Sequence, residues 1–170
     1  TSNAKVTGTT VLAINRKSKD FPALQLAINA MGGNSSSLIW QQLRETEGLA
    51  YSAGMYIATS SFDDRSTVQL SATSSSGNAE KALASLQAVL AKVLAEGFSP
   101  QQIKQAKDAW KEKRKTFLGV ERGFASTLAD SLYDGYDFAE MALFDEQIAA
   151  VDHAQASLVM RQYIKPSSIL

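Results

Sequence analysis

The sequence has no cysteine, a single histidine and no net charge, its 17 lysines and arginines balancing 17 aspartates and glutamates. Without cysteine there are no disulfide frameworks, thiolate nucleophiles, iron–sulfur clusters or cysteine-ligated zinc sites. With His153 as the only histidine, neither a His-x-x-Glu-His zinc helix nor any two-histidine site can be assembled, so no metal is expected on this chain. A serine–histidine–acid triad would have to use His153, at the start of an exposed helix, and no Gly-x-Ser-x-Gly elbow occurs. Phosphate loops and dinucleotide fingerprints are missing as well. Charge neutrality gives no field to draw in nucleic acid or an anionic membrane, so neither is an expected partner. The longest apolar runs are a few residues, far short of the roughly 20 that cross a bilayer as a helix.

What is present is apolar material for one core, 45% of 170 residues. A β-branched run from Thr9 to Asn15 predicts a buried strand. Asp20 stands at an N-cap position before a helix over 21–31, which Pro22 opens and Gly32-Gly33 close by supplying positive φ. Ser35, Ser36 and Ser37 offer capping hydroxyls for a second helix that ends at Glu47 before Gly48. Alternation from Tyr51 to Ser60, with Tyr51, Ala53, Met55 and Ile57 on one face, and again at Val68, Leu70 and Ala72, predicts an antiparallel hairpin. A long helix from Asn78 to Gly97 presents Leu83, Leu86, Leu90, Val93 and Leu94 to that sheet. The capping box Ser99-Pro100-Gln101-Gln102 opens a helix over 100–117, and a second box at Asp152-His153-Ala154-Gln155 opens the last helix, with one or two more between them.

The expected fold class is therefore α+β, a mostly antiparallel sheet covered by helices. Thr1-Ser2-Asn3-Ala4 resembles a tag-cleavage scar, and Ile169-Leu170 stops where an apolar strand begins after Pro166. Residues 5–170 thus read as a single domain cut from something longer. Charge is segregated along the chain: seven bases and three acids lie between Lys104 and Arg122, seven acids and no base between Asp130 and Asp152. Such runs form solvated helix faces or, less often, a docking surface.

Among the polar residues, Arg44 lies near the end of the second helix and Tyr51 at the start of the hairpin. Arginine offers a fixed fork of donors and tyrosine a phenolic donor, and a sharp turn at Gly48 would bring both heads to one cleft. The alternative is that Arg44 pairs with Glu45 or Glu47 and that Tyr51 is an ordinary strand residue.

The stretch Leu26-Ala27-Ile28-Asn29-Ala30-Met31-Gly32-Gly33-Asn34-Ser35-Ser36-Ser37-Leu38, followed by Leu43-Arg44-Glu45-Thr46-Glu47-Gly48-Leu49-Ala50-Tyr51-Ser52, resembles the C-terminal, non-zinc-binding half of the pitrilysin/insulinase-type zinc metallopeptidases. Mitochondrial processing peptidase is a related member. The resemblance implies half of a clam shell that closes over an N-terminal catalytic half, with zinc held in that other half and no cofactor here. It implies that Arg44 and Tyr51 reach the substrate backbone near the scissile bond, and that Gly32, Gly33, Asn34, Ser35 and Ser36 belong to the substrate-binding loop. Where many relatives carry serine-serine-arginine-leucine, this chain has Ser36-Ser37-Leu38-Ile39, so an arginine at that point is lacking. The short glycine segment also lacks an extended presequence-binding loop.

The implied function is a metal-free, substrate-binding domain of a zinc-dependent metalloendopeptidase, inactive alone, whose partners are the catalytic half and an unfolded peptide. Two alternatives stand beside it, a scaffold domain of the same family that has lost catalysis, and a self-standing peptide-binding module using an open sheet edge. A cysteine-free chain suits the periplasm and the cytoplasm alike, with a slight lean to the periplasm.

Overall fold

A computed structural model of the chain describes residues 2–166. Its elements run β1 (Asn3–Leu12), α1 (Phe21–Gly32), α2 (Leu38–Trp40, continuing as a π-helical turn over Gln41–Thr46), β2 (Ala50–Thr59), β3 (Ser66–Ser75), α3 (Ala79–Glu96), α4 (Pro100–Leu118), α5 (Glu121–Asp134), α6 (Phe138–Ala150) and α7 (His153–Tyr163). This is the α+β architecture expected from the sequence. The three strands form one antiparallel sheet in the order β1-β3-β2, with β3 central. The first strand begins earlier and ends earlier than its β-branched run suggests. It takes in Asn3 and Ala4, which pair with Ser75 and Ser74, and releases the chain after Leu12. The strand expected at Ile169-Leu170 lies outside the described residues.

Alternation decides which sheet face is covered. In β3, Ser66, Val68, Leu70, Ala72 and Ser74 are buried while the residues between them are partly open, as period-two geometry requires. Helix α3 packs on β3 and β1, burying Ala82, Ser85, Leu86, Leu90 and Val93. Helix α1 is apolar except for Gln25 and Asn29 and hence central. Phe21, Ala23, Leu24, Leu26, Ala27, Ile28, Ala30 and Met31 are all buried, against β2 on one side and α4, α6 and α7 on the others.

Gly32 and Gly33 do not end α1 through positive φ. The glycines with positive φ among the described residues are Gly48, Gly97 and Gly135, and Gly33 is right-handed at φ −77°. The requirement is proximity instead. A Cβ on Gly32 would lie 2.0 Å from the Met55 nitrogen, a Cβ on Gly54 would lie 2.7 Å from the Gly32 carbonyl oxygen, and one on Gly33 would meet Asn29 Oδ1 at 2.6 Å. The end of α1 thus rests on the bare backbone of β2, a contact closed to any side chain.

Caps divide in the same way. Ser99 and Gln102 form the full reciprocal box, as do Asp137 and Glu140 at α6. Asp152 accepts from the Gln155 amide at 2.7 Å. Asp20 and Ser37 occupy N-cap positions without capping through their side chains. The Asp20 carboxylate instead accepts from the Tyr163 hydroxyl at 3.0 Å, tying the start of α1 to the end of α7.

Replacing Gly32 with alanine is expected to destabilise the fold by about 3 kcal/mol, because a methyl group forced into a closed contact displaces backbone; a lowered urea midpoint at unchanged slope checks it. Tyr163→Phe should cost about 1 kcal/mol through loss of the bond to Asp20. Burial, then the Asp20 carboxylate, push the Tyr163 phenol up from its ordinary value. Its protonated form therefore supports the fold below the ordinary tyrosine range, and that support fades as pH rises through the raised value. The variant should accordingly lose less stability than the parent over the alkaline range in thermal melts.

Candidate functional site

The segment between α1 and β2 departs from regular geometry twice. After Trp40 the helix widens into a π turn, closed by the Glu47 amide donating to the Gln42 carbonyl at 3.0 Å, and beyond it the Leu49 amide donates to the Leu43 carbonyl at 2.8 Å. Each π turn accommodates an extra residue, and such bulges are frequent at functional sites. Gly48, at φ 62°, then reverses the chain as its left-handed conformation allows.

The second departure is a β-bulge. Ala50 pairs with Ser74 and Ser52 with Thr73, leaving Tyr51 as the extra residue. Parity demands it: Ala50 and Met55 are both buried, at 2% and 1% exposure, yet five residues apart they would face opposite sides of a regular strand. The extra residue reconciles them and takes Tyr51 off the inner face, so that its side chain is 54% exposed. The sequence expectation that Tyr51 shares a face with Ala53, Met55 and Ile57 is corrected on that account.

Arg44 sits in the π turn and is exposed. Its Nη1 donates to the Ala50 carbonyl at 3.2 Å, so the guanidinium reaches the residue next to Tyr51. It makes no ion pair with Glu45 or Glu47; Glu47 accepts instead from Gln42 Nε2 at 2.9 Å. One guanidinium N–H is used in the contact with Ala50, and the fork of five leaves others for a ligand. The Tyr51 hydroxyl has no hydrogen-bond partner among the described residues.

The Gly32–Ser36 loop is closed by its own bonds. Asn34 Oδ1 accepts from the Ser36 amide at 2.7 Å, the Ser37 hydroxyl donates to the Asn34 carbonyl, and Gln41 Nε2 donates to the Ser35 carbonyl at 3.2 Å. The cavity between Asn34, Ser36, Ser37 and Gln102 holds about 10 Å³, room for one water at most. Through the Gly32–Gly54 contact this loop abuts the same strand that carries Tyr51. The bulge, the π turn and Gly54 escaped sequence reading, although a lone glycine inside a strand pattern is a signal of close backbone approach.

No group of three ligating His, Asp or Glu side chains occurs among the described residues, and the donors present do not fit zinc. Nor is any single helix there long and apolar enough to cross a membrane.

Residues 7–109 match the family model of the peptidase M16 inactive domain. The chain belongs to this family and is one of its inactive-type domains. Nothing among curated protein sequences matches it. In fold it is similar to the peptidase M16 inactive domain from Pseudomonas fluorescens, with TM-score 0.77 and 18% identity over 98% of this chain and 40% of that one. It is likewise similar to a protease from Helicobacter pylori, with TM-score 0.81 and 19% identity over 97% of this chain and 40% of that one. A third likeness is to the inactive peptidase domain of a protein assigned as a zinc protease, from Bordetella parapertussis, with TM-score 0.77 and 17% identity over 100% of this chain and 92% of that one. The chain thus spans 40% of the length of the first two relatives.

If the bulge sets the side-chain directions, Tyr51→Ala should change stability by no more than about 0.5 kcal/mol, as at other exposed positions. Met55→Ala on the same strand should cost about 3 kcal/mol, as core truncations do. Chemical denaturation of the two variants compares them directly.

Proposed function

We propose that this domain is the metal-free, substrate-contacting half of a zinc-dependent metalloendopeptidase. It closes over an N-terminal catalytic half that carries the zinc, and Arg44 and Tyr51 extend toward the backbone of the bound peptide. The observation that carries the proposal is the bulge: it turns an unpartnered phenol outward beside a guanidinium already anchored at Ala50. In this reading the remaining Arg44 N–H groups and the Tyr51 hydroxyl donate to peptide carbonyl oxygen or to the negative charge that develops there during hydrolysis. Donors fixed before the reaction stabilise such charge without reorganising. The Gly32–Ser36 loop contributes exposed backbone and the Ser35 and Ser36 hydroxyls along the path of the peptide. Zinc in the catalytic half supplies a Lewis acid and an activated water; this chain orients the substrate.

The isolated domain is expected to show no peptidase activity, with or without added zinc, when assayed on an unfolded protein substrate. In the full-length protein, Arg44→Ala or Tyr51→Phe should lower kcat/KM by about 10²–10³-fold, the usual loss on removing a donor of this kind, at nearly constant melting temperature. Undiminished turnover in both variants would overturn the role given to these two residues, whereas a full-length protein without any turnover and without a zinc motif would leave the scaffold role in its place.

A further inference from the structure

The segregated charge noted in the sequence meets in one place. Between α4 and α6 lies a cavity of about 240 Å³, lined by Trp110, Ile148 and Ala149 together with Lys107, Lys111, Arg114, Lys115 and Asp145. Its floor is apolar and its rim cationic. The one acid in the lining is fully engaged: Asp145 accepts from Arg114 Nε and Nη2 at 3.0 Å each and from Trp110 Nε1 at 2.9 Å. That fork leaves the Arg114–Asp145 pair neutral and holds the Trp110 ring in place.

The lysines differ. Lys107 Nζ donates to the Ala149 carbonyl at 2.7 Å, satisfying the carboxyl end of α6. Lys111 and Lys115 are four residues apart on one face of α4, are exposed, and have no ion-pair partner among the described residues. Asp108, three residues before Lys111 on that helix, is paired with Lys104 at 2.7 Å. Glu112 does not line the cavity.

We infer that this groove is a docking site for an acidic stretch of extended peptide, one large apolar side chain entering the cavity while neighbouring carboxylates meet Lys111 and Lys115. Two observations select that occupant. The volume falls below the roughly 300–1,000 Å³ of small-molecule sites, so it accepts a side chain and leaves the rest of the ligand outside. The rim, with Lys107 included and the Arg114–Asp145 pair cancelled, is threefold positive and complements carboxylates. Because α4 and α6 pack on α1, the groove belongs to the helical layer and does not involve Arg44 or Tyr51. The inference therefore stands apart from the function proposed above.

The test is an NMR titration of the ¹⁵N-labelled chain with a blocked pentapeptide holding phenylalanine between two pairs of glutamates. The protein has two tryptophans. The indole N–H of Trp110 should shift with saturation, while that of Trp40 stays in place. Raising sodium chloride from about 0.05 M to about 0.5 M should weaken the binding, since exposed charges are screened. Lys111→Glu with Lys115→Glu should weaken it roughly tenfold or more, whereas Lys17→Glu with Lys81→Glu, equal in charge and away from the groove, should leave it unchanged. Unaltered circular dichroism of both double variants excludes misfolding as the cause. Equal binding of the lysine-for-glutamate peptide, equal binding of a glycine-for-phenylalanine peptide, or indifference to the Lys111 and Lys115 replacements would overturn the inference. So would a concentration-dependent dimer that the same replacements abolish without any peptide response, since the groove would then hold the acidic helices of a second copy.

Discussion

The segment that carries the candidate site depends on one backbone contact, the end of α1 lying directly on β2 at Gly32 and Gly54. With a Cβ on Gly32 only 2.0 Å from the Met55 nitrogen, the two elements are held at a distance that no larger residue permits. That approach fixes where the chain leaves the buried helix and where the strand must return. The intervening residues, from Gly33 to Ala53, span the remaining gap within those two limits. The π turn, the left-handed Gly48 and the bulge at Tyr51 all fall inside this span, and together they set the directions of the guanidinium and the phenol.

The layered core supplies the rigidity this arrangement needs. Helix α1 is buried over most of its surface, between the sheet and the outer helices α4, α6 and α7. The Tyr163–Asp20 bond closes the outer layer onto the start of the same helix. A functional group mounted on a loop is held only as well as its two ends. Here one end is a buried helix and the other an edge strand paired along its length with β3.

Much of the fold was legible because its signals are local. Ser99 and Gln102 announce a helix start by reciprocal bonds within four residues, and the alternation at Val68, Leu70 and Ala72 announces a half-buried strand. The family resemblance rested on contiguous residues from Leu26 to Ser52 and is matched by the M16 inactive-domain model over residues 7–109. What was misread depends on partners distant in sequence. Gly32 and Gly33 invite a positive-φ explanation, because nothing nearby shows that Gly54 will lie against them. Tyr51 fits a strand alternation that fails only because Ala50 must also be buried. Arg44 was weighed between neighbouring glutamates and a cleft, yet its bond goes to a backbone carbonyl that only the return of the chain brings near.

The two inserted residues give this stretch an unusual kind of fragility. One widens a helix by a single position and the other offsets a strand by a single position, so chain length in this interval determines orientation more strongly than chemistry does. Loss of one residue between Glu45 and Leu49 would shorten the span that carries the Arg44 guanidinium to the Ala50 carbonyl, although Arg44 and Tyr51 would both still be encoded. Relatives that keep both the arginine and the tyrosine but differ in spacing between them would therefore share the letters of this site without sharing its shape.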